Sequence, residues 1–338
     1  CDAKSELEYM KKRIKTCKAM NYSIQGIGSH RVPLNPCTAS KLYSTVTLSK
    51  LLYGVEVMDL HPHTSSEMEK FHIESAKHLQ HLPTQCAGPG GLVSIGWQSI
   101  GSMVEIARLR FFWRTLLLPV TDMYKLLMIY KVFEALYSNF QTSGPTASIV
   151  RICRKYDLLD IVISSIETGD YMPIASWKKT VKYVIQQRDY QRLQITCSLY
   201  TSLKRVHFDI INKRVIDWWY LALHDPCYIK KCTAIVRLLF APARLGSSLC
   251  QKCTSYEADS LEHIMFKCDS VQEVRTVYWR KIIESCPDAL ARDIETFSNE
   301  KKCNFIINAM NNSLITEWIV LFKNIADFIY HVWERYNS

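Results

Sequence analysis

The residues best suited to do chemistry lie in one short stretch, LCQKCTSYEADSLEHIMFKC, which runs from Leu249 to Cys268. Within it, Cys250, Cys253, His263 and Cys268 follow the spacing C-x2-C-x9-H-x4-C. A structural zinc site needs four sulfur or imidazole nitrogen ligands in a tetrahedron. The spacing therefore predicts a bound zinc ion that is closed to water. The alternative is a buried helix whose cysteines serve as small hydrophobic side chains.

Two local elements must bring these four ligands together. A C-x-x-C pair supplies two thiolates from one tight turn, because two intervening residues let both sulfurs face the same point. His263 and Cys268 are five residues apart. Residues four apart share a helix face, so this spacing fits a helical turn that loosens at its end.

Composition favours a helical chain of several packed units. Its 338 residues are 48% hydrophobic, which indicates two or three units rather than one small domain. Gly and Pro number only 11 each, too few for a sheet with many turns, so we predict a mainly α fold. The 13 cysteines show no disulfide spacing, which favours a reducing compartment. No apolar run reaches the ~20 residues that cross a bilayer, and we expect no membrane partner.

Charge indicates the class of partner. Lys and Arg exceed Asp and Glu by 42 to 32, and a net charge of +10 predicts binding to a polyanion, either RNA or DNA. Basic residues in and after the metal stretch, and those interleaved with Trp and Tyr before it, are the expected phosphate contacts. They are Lys252, Lys267, Arg275, Lys204, Arg205, Lys213, Arg214, Lys230 and Lys231. A basic face on the first helix, with Lys11, Lys12, Arg13, Lys15 and Lys18, is either a further phosphate contact or a solvated surface.

Hydrophobic periodicity predicts helices over 64–82, 99–118, 121–140, 147–166 and 176–203. Ser102 and Glu105 have the spacing of a capping box in the second of these. Ser313 is predicted to cap a final helix with a long apolar stripe. We interpret the histidines between residues 61 and 81 as surface or hydrogen-bonded core residues. They are His61, His63, His72, His78 and His81.

Several motifs outside the metal stretch occur in a recognisable order. The pattern L-N-P-x-T-x-x-x-L-Y-x-x-V is followed by L-Y-G-x-E and later by G-W-x-S-I, with R-x-x-x-W after the last cysteine. The residues that carry them are Leu34, Asn35, Pro36, Thr38, Leu42, Tyr43, Val46, Leu52, Tyr53, Gly54, Glu56, Gly96 to Ile100, Leu109 to Arg114, Lys155 to Leu158, Pro173, Trp177, Lys178, Arg275 and Trp279. With the cysteine and histidine cluster, this order resembles the reverse transcriptases of non-LTR (LINE-type) retrotransposons, from the thumb onward. Met58 departs from the Trp common in that family.

The resemblance implies a domain organisation and a function. Residues 1–60 would be a thumb remnant, 61–245 a helical connector, 246–285 a CCHC zinc-knuckle-like module and 286–338 a C-terminal helical segment. The chain would be the nucleic-acid-binding C-terminal fragment of a longer protein whose polymerase domain lies upstream. It would act in a ribonucleoprotein of the cytoplasm and nucleus, without a small-molecule substrate.

We expect no polymerase activity and no catalytic residues in this chain. Reverse transcriptases hold two metal ions with carboxylates that include an Asp-Asp pair, and this sequence has no such pair. One alternative is a restriction-like endonuclease built from Asp288 and Glu300 to Lys302, although the surrounding residues do not predict the β-strands it needs. The other alternative is a domesticated helical scaffold that binds proteins.

Overall fold

Helices form nearly all of the regular structure in this computed structural model. It describes residues 3–27, 34–58, 60–138, 141–200, 203, 206, 215–240, 249–254, 257–308 and 315–338. Within these ranges the extended structure is limited to one antiparallel bridge between Leu249 and Ala258. The predicted mainly α class is confirmed.

The α-helices are numbered along the chain. They are α1 (Ala3–Gly26), α2 (Pro36–Leu42), α3 (Ser49–Leu52), α4 (Pro62–Leu79), α5 (Gly88–Val93), α6 (Ile100–Leu116), α7 (Met123–Tyr137), α8 (Pro145–Lys155), α9 (Leu159–Thr168), α10 (Ile174–Ser198), α11 (Asp217–His224), α12 (Ile229–Phe240), α13 (Gln272–Glu284), α14 (Asp288–Thr296), α15 (Asn299–Asn308) and α16 (Ile315–Asn337). Two π-helices, Tyr43–Leu48 and His263–Lys267, and two 3-10 helices, Pro226–Tyr228 and Asp269–Val271, lie between them. Among the helices of the described ranges, none is long and apolar enough to cross a membrane.

The chain packs as two compact units. The first comprises residues 1–21, 43–72 and 98–192, and the second comprises 22–42, 73–97 and 193–338. The four segments expected from the family resemblance were drawn by sequence motif, and they stay a prediction.

Two stacked tryptophans lie in the core of the first unit. The rings of Trp113 in α6 and Trp177 in α10 are parallel, with centroids 4.0 Å apart, and both side chains are fully buried. Their indole N–H groups donate to the carbonyls of Met172 (3.1 Å) and Leu109 (2.9 Å). Because both donors are satisfied, the two largest side chains of this core are buried without an unpaired polar group.

The start of α6 differs from the sequence prediction. Ser99 caps the helix by accepting a hydrogen bond from the backbone N–H of Ser102 (3.3 Å), so the predicted capping box at Ser102 and Glu105 is wrong. Asp189 holds Ser99 in place by accepting from its N–H (2.9 Å) and its hydroxyl (2.7 Å). Glu105 instead forms an ion pair with Lys155 at 2.7 Å. The carboxylate of Asp189, which is distant in sequence, therefore determines that Ser99 caps α6. Local sequence spacing did not predict this.

The helix predicted over 147–166 is two helices in the structure. α8 ends at Lys155 and α9 begins at Leu159, and Asp157 between them has a left-handed backbone with φ of 56°. Arg188 forms an ion pair with the Asp157 carboxylate at 2.7 Å. The connection is therefore held from α10, and the apolar periodicity alone did not show the break.

Motifs that carry the family resemblance have structural roles here. Asn35 accepts a hydrogen bond from the N–H of Cys37 (2.8 Å) at the start of α2, and its amide donates to the carbonyl of Trp219 (3.2 Å). Gly54 adopts φ of 74°, which glycine tolerates at low cost, in the turn after α3. Arg13 donates to the carbonyl of Leu51 at 3.2 Å. These residues shape local turns and helix ends.

His72 is a fully buried core histidine, which confirms the interpretation made for this residue. Its Nδ1 lies 3.0 Å from the Tyr43 hydroxyl, and its Nε2 lies 3.0 Å from the carbonyl oxygen of Gln98. Burial lowers its pKa from 6.5 to about 4, although the Gln98 carbonyl and the Asp189 charge act in the opposite direction. The folded protein therefore holds a neutral imidazole at a site that disfavours the cation.

The buried neutral His72 predicts an acid-dependent loss of stability. The folded pKa is below the unfolded value, so the unfolded chain binds the proton first as the pH falls. The contribution of His72 to the free energy of unfolding is therefore full above pH 6.5. It declines as the pH falls toward 4, by about 3 kcal/mol in total.

Urea unfolding between pH 8 and pH 4 measures this decline. A His72→Gln variant keeps hydrogen-bonding groups but does not titrate, so its stability should fall less over this pH range than that of the wild type. Parallel curves for the two proteins would contradict the prediction.

The second unit is organised around Gln80 and Trp219. The Gln80 side-chain oxygen accepts from the Trp219 indole (3.0 Å) and the Ser94 hydroxyl (2.6 Å), and its amide donates to the carbonyl of Gly91 (2.7 Å). All of the polar atoms of this buried amide are thus used. This network joins α4, α5 and α11 within the unit.

The C-terminal helix α16 packs on preceding helices, as its apolar stripe predicted. Phe322, Ile325 and Phe328 are completely buried. Two ion pairs fasten the helix, Lys323 with Asp225 (2.7 Å) and Lys231 with Asp327 (2.6 Å). Ser313, the predicted cap of this helix, lies outside the described residues.

Candidate metal centre

A short hairpin presents the first two cysteines. Leu249 and Ala258 form an antiparallel bridge, and the N–H of Cys250 donates to the carbonyl of Glu257 (2.9 Å). These contacts close the chain into a loop that contains Cys253. Cys250 is buried and Cys253 is half-buried, so both sulfurs are turned toward the protein rather than freely exposed.

A π-helix presents the other two candidate ligands. His263 begins the π-helix His263–Lys267, and the N–H of Cys268 donates to the carbonyl of His263 at 2.7 Å. This bond spans five residues, whereas an α-helix bonds residues four apart. The Ser260 hydroxyl accepts from the N–H of His263 (3.1 Å) and fixes the start of the turn. The expected loosening of this helical turn is confirmed, and it gives the five-residue spacing its physical reason.

The four side chains meet at one point. One ligand atom from each of Cys250, Cys253, His263 and Cys268 lies within 4.8 Å of all the others. The sulfurs of Cys250 and Cys268 are 3.9 Å apart, and the Cys253 sulfur is 3.4 Å from Nε2 of His263. A tetrahedron with zinc-like bond lengths has sulfur–sulfur edges of about 3.8 Å and sulfur–nitrogen edges of about 3.5 Å. The cluster therefore fits a tetrahedral metal ion, and these residues could bind one.

The pKa values of Cys250 and Cys268, whose sulfurs are 3.9 Å apart, shift in opposite directions. Burial raises the pKa of Cys250, but its hydrogen bonds with Tyr336, the backbone at Lys252 and the neighbouring cysteines outweigh burial, and the net pKa is lowered. Burial raises the pKa of Cys268, and the adjacent Cys250 adds to this increase. Of these two thiols, Cys250 is thus the one that loses its proton more readily. A metal ion must displace the proton from Cys268, and its binding should release protons.

A carboxylate lies behind the imidazole. Nδ1 of His263 is buried and lies 3.5 Å from an oxygen of Glu257, without hydrogen-bond geometry. Metal-bound histidines usually direct their second nitrogen toward a carboxylate, which fixes the tautomer. Lys267 forms an ion pair with the same Glu257 oxygen at 3.1 Å. The hydrogen bond with Lys267 is the largest of the effects that lower the pKa of Glu257, so this carboxylate is an anion poised beside the ligand.

The last helix closes the other side of the centre. The hydroxyl of Tyr336, near the end of α16, lies 3.4 Å from the Cys250 sulfur and donates to the Asp259 carboxylate at 2.8 Å. Sequence reasoning missed Tyr336, Asp259 and Glu257. Tyr336 is 68 positions beyond Cys268, and no local spacing connects the two.

Arg275 and Trp279 support the π-helix from α13. Arg275 donates to the backbone carbonyls of Met265 (2.9 Å) and Cys268. The Trp279 ring meets the Phe266 ring edge-on, with centroids 5.2 Å apart. The R-x-x-x-W motif therefore has a structural role, because it holds the backbone that carries His263 and Cys268.

The predicted phosphate contacts have different environments in the structure. Lys267 and Lys231 are in ion pairs, and Arg275 is occupied by carbonyls. Lys252 is exposed and lies over the Tyr336 ring at 5.5 Å, and Lys230 is exposed. Lys204, Arg205, Lys213 and Arg214 lie outside the described residues. Nucleic-acid contact by this set stays a prediction.

Comparison of the chain with protein-family models, curated proteins and solved structures finds no match. The resemblance to LINE-type reverse transcriptases therefore stays a prediction from the motifs.

Removal of the Tyr336 hydroxyl should weaken metal binding. Tyr336→Phe deletes the contact to Cys250 and the hydrogen bond to Asp259 while keeping the ring. Loss of such an outer partner typically costs about 10- to 100-fold in metal affinity, and we expect about tenfold. Competition with a chromophoric chelator measures the affinity.

Tyr330→Phe is a matched control on the same helix. Within the described part of the chain, the Tyr330 hydroxyl donates a hydrogen bond to Glu334 (3.2 Å) and to no cluster residue. Equal affinities for wild type and Tyr336→Phe would show that the phenol does not support the metal ligands.

Proposed function

We propose that the chain binds one zinc ion in a structural site formed by Cys250, Cys253, His263 and Cys268. The observation that carries this proposal is the convergence of three sulfurs and one imidazole nitrogen within 4.8 Å. Thiolate-rich four-ligand sets favour zinc over magnesium or calcium, which prefer oxygen ligands. All four positions would be filled by protein, so the ion would stabilise the fold and would not activate water.

The surrounding residues define what the ion would stabilise. The hairpin contributes Cys250 and the π-helix contributes His263. Tyr336 of α16 is 86 positions beyond Cys250 in sequence, and its hydroxyl lies 3.4 Å from the Cys250 sulfur. When bound, zinc supplies a fixed point that joins these elements. The chain itself orients the ligands. The Ser260 hydroxyl accepts from the N–H of His263, and Arg275 donates to the backbone carbonyl of Met265 in the π-helix.

Metal analysis tests the zinc proposal. Protein purified without chelator should contain about one zinc per chain, and Cys253→Ser or Cys268→Ser should lower this to near zero. Thiolate absorption after cobalt substitution should disappear in the same variants. Chelation of the wild type should lower its melting temperature.

Cys286→Ser is the matched control, because Cys286 is a partly buried cysteine that does not belong to the cluster. It should keep the metal. Wild-type protein that contains no stoichiometric metal after purification from zinc-supplemented cells would exclude the site.

We further propose that the chain binds RNA or DNA as the C-terminal part of a LINE-type reverse transcriptase, in a ribonucleoprotein of the cytoplasm and nucleus. The net charge of +10 supports this proposal. The motif order supports the family, and the lack of an Asp-Asp pair supports a binding role without catalysis. Asp288 and Glu300 lie in the helices α14 and α15, which disfavours the restriction-like nuclease because that enzyme places its carboxylates on strands.

The outer face of α1 is the best supported phosphate contact in the first unit. Lys11, Lys12 and Lys15 are exposed, and no ion pair in the described part of the chain engages them. The opposite face of α1 is buried through Met10 and Cys17, and Arg13 is buried with them, so its predicted place on the basic face is wrong. The helix therefore cannot turn its lysines inward, and they remain available to a polyanion.

Salt-dependent binding tests the nucleic-acid proposal. Affinity for a labelled single-stranded RNA and a DNA duplex should fall steeply with salt, with a slope of log K against log salt of about −0.7 to −0.9 per phosphate contacted. Lys11→Gln/Lys12→Gln/Lys15→Gln should weaken binding and reduce the slope by about 2 to 3. Fluorescence anisotropy at several salt concentrations measures both quantities.

A charge-matched control replaces three ion-paired basic residues that are not expected phosphate contacts, as Lys155→Gln/Arg188→Gln/Lys323→Gln. It lowers the net charge equally but should change the slope less. A slope near zero for the wild type would contradict nucleic-acid binding. Equal effects of the two triple variants would contradict the assignment to α1.

A further inference from the structure

Helix α7 exposes an apolar face to solvent. Met123, Leu126, Leu127, Tyr130 and Tyr137 are exposed, with 62% exposure at Tyr130 and 86% at Tyr137. At 100° per residue, these five positions fall within an arc of about 100° on the helix surface. A surface helix normally places polar residues in such an arc. The solvent side of α7 therefore has the composition of a packed interface.

The inward side of α7 is firmly held, so the helix cannot bury its apolar face by rotating. Lys125 points inward, where its ammonium group donates to the carbonyl of Leu118 (3.1 Å) and lies 4.5 Å from the centroid of the Tyr171 ring. Val132 and Ala135 are buried in the same unit. Rotation would expose these residues and break the lysine contacts. The outward apolar face is thus a fixed feature of the first unit.

The exposed area is large enough for a stable interface. With Val120 and Tyr124, which are exposed beside it, the face presents on the order of 900 Å² if a fully exposed side chain counts as about 200 Å². The largest apolar patch of a typical monomer covers about 300–600 Å², and a standard interface buries about 800 Å² on each partner. A cavity of about 600 Å³ between α7 and the start of α8 continues this face and is lined by Tyr124 and Leu127.

The charges on this face balance. Lys131 and Glu134 are its charged residues and form an ion pair at 2.7 Å, in a chain whose net charge is +10. A neutral face offers nothing to a polyanion. It also spares two copies of this basic chain the repulsion that they would meet elsewhere. One cation and one anion on the same helix can pair reciprocally with those of a second copy.

We propose that two copies of the chain associate through α7, packed antiparallel about a twofold axis. Positions 123, 127, 130, 134 and 137 are spaced by four and three residues in alternation, which is the spacing of a helix–helix seam. In the register that places Leu127 opposite Tyr137 of the second copy, Tyr130 faces Glu134 of that copy and Lys131 lies beside this Glu134. Met123 then extends past the end of the partner's α7 at Tyr137. The interface is isologous, so each contact occurs twice.

Sedimentation velocity on the metal-loaded, nuclease-treated chain tests the proposal. The wild type should change from monomer to dimer with increasing concentration, and Tyr130→Glu should raise the dissociation constant by roughly tenfold or more. Tyr183→Glu, at an exposed tyrosine of α10 in the same unit, should leave it unchanged. A wild type that stays monomeric, a Tyr130→Glu variant that still dimerises, or a dimer lost on nuclease treatment would overturn the proposal. The last result would mean that nucleic acid bridges the copies.

Charge exchange tests the register. Lys131→Glu and Glu134→Lys should each weaken self-association, because like charges then face each other across the axis. An equimolar mixture of the two variants should recover the dimer, since each glutamate then meets a lysine. A misfolded variant could not be rescued by mixing. Failure of the mixture to recover, with both variants folded by circular dichroism, would overturn the antiparallel arrangement. The charge-exchange outcomes do not depend on zinc or nucleic-acid binding.

Discussion

The C-terminal part of the second unit depends on one backbone hydrogen bond, from the N–H of Cys268 to the carbonyl of His263. It spans five residues and makes a π-turn, so the imidazole and the last thiol face the hairpin that carries Cys250 and Cys253. An α-helical turn would place residue 267 near the face of His263 and would turn Cys268 away. Arg275 and Trp279 then stabilise this irregular turn from α13. The geometry of the proposed zinc site therefore rests on a deviation from the regular helix.

Part of this structure could be predicted from the sequence because the signal was local. The ligand set followed from spacing alone, and helical periodicity gave the fold class. The predictions failed where distant residues decide the outcome. Asp189 selects Ser99 as the cap of α6, and Tyr336 reaches Cys250 across 86 residues of sequence. Periodicity predicted α7 as a helix, but it could not show which side of that helix would face solvent.

The roles of the basic residues are the clearest case in which the sequence alone did not predict the structure. Lysines that look equivalent in a sequence differ in how the fold uses them. Lys231 and Lys267 neutralise nearby carboxylates, and Arg275 supports a backbone turn, whereas Lys11, Lys12 and Lys15 stay exposed along α1. The net charge of +10 thus overstates the number of cations free to meet a polyanion. The two proposed interfaces also differ in chemistry, since α1 is basic and the outer side of α7 is neutral and apolar.

The distance in sequence between the cysteine cluster and Tyr336 has a consequence for biosynthesis. All four ligands leave the ribosome before the tyrosine, which follows Cys268 by 68 residues. At about 5 to 20 residues per second, translation of that interval takes roughly 3 to 14 s. The cluster that we propose as a zinc site is therefore synthesised in full before the part of α16 that contacts it. Translation thus sets an order of assembly in which the Tyr336 hydroxyl is the last of these groups to reach the cluster.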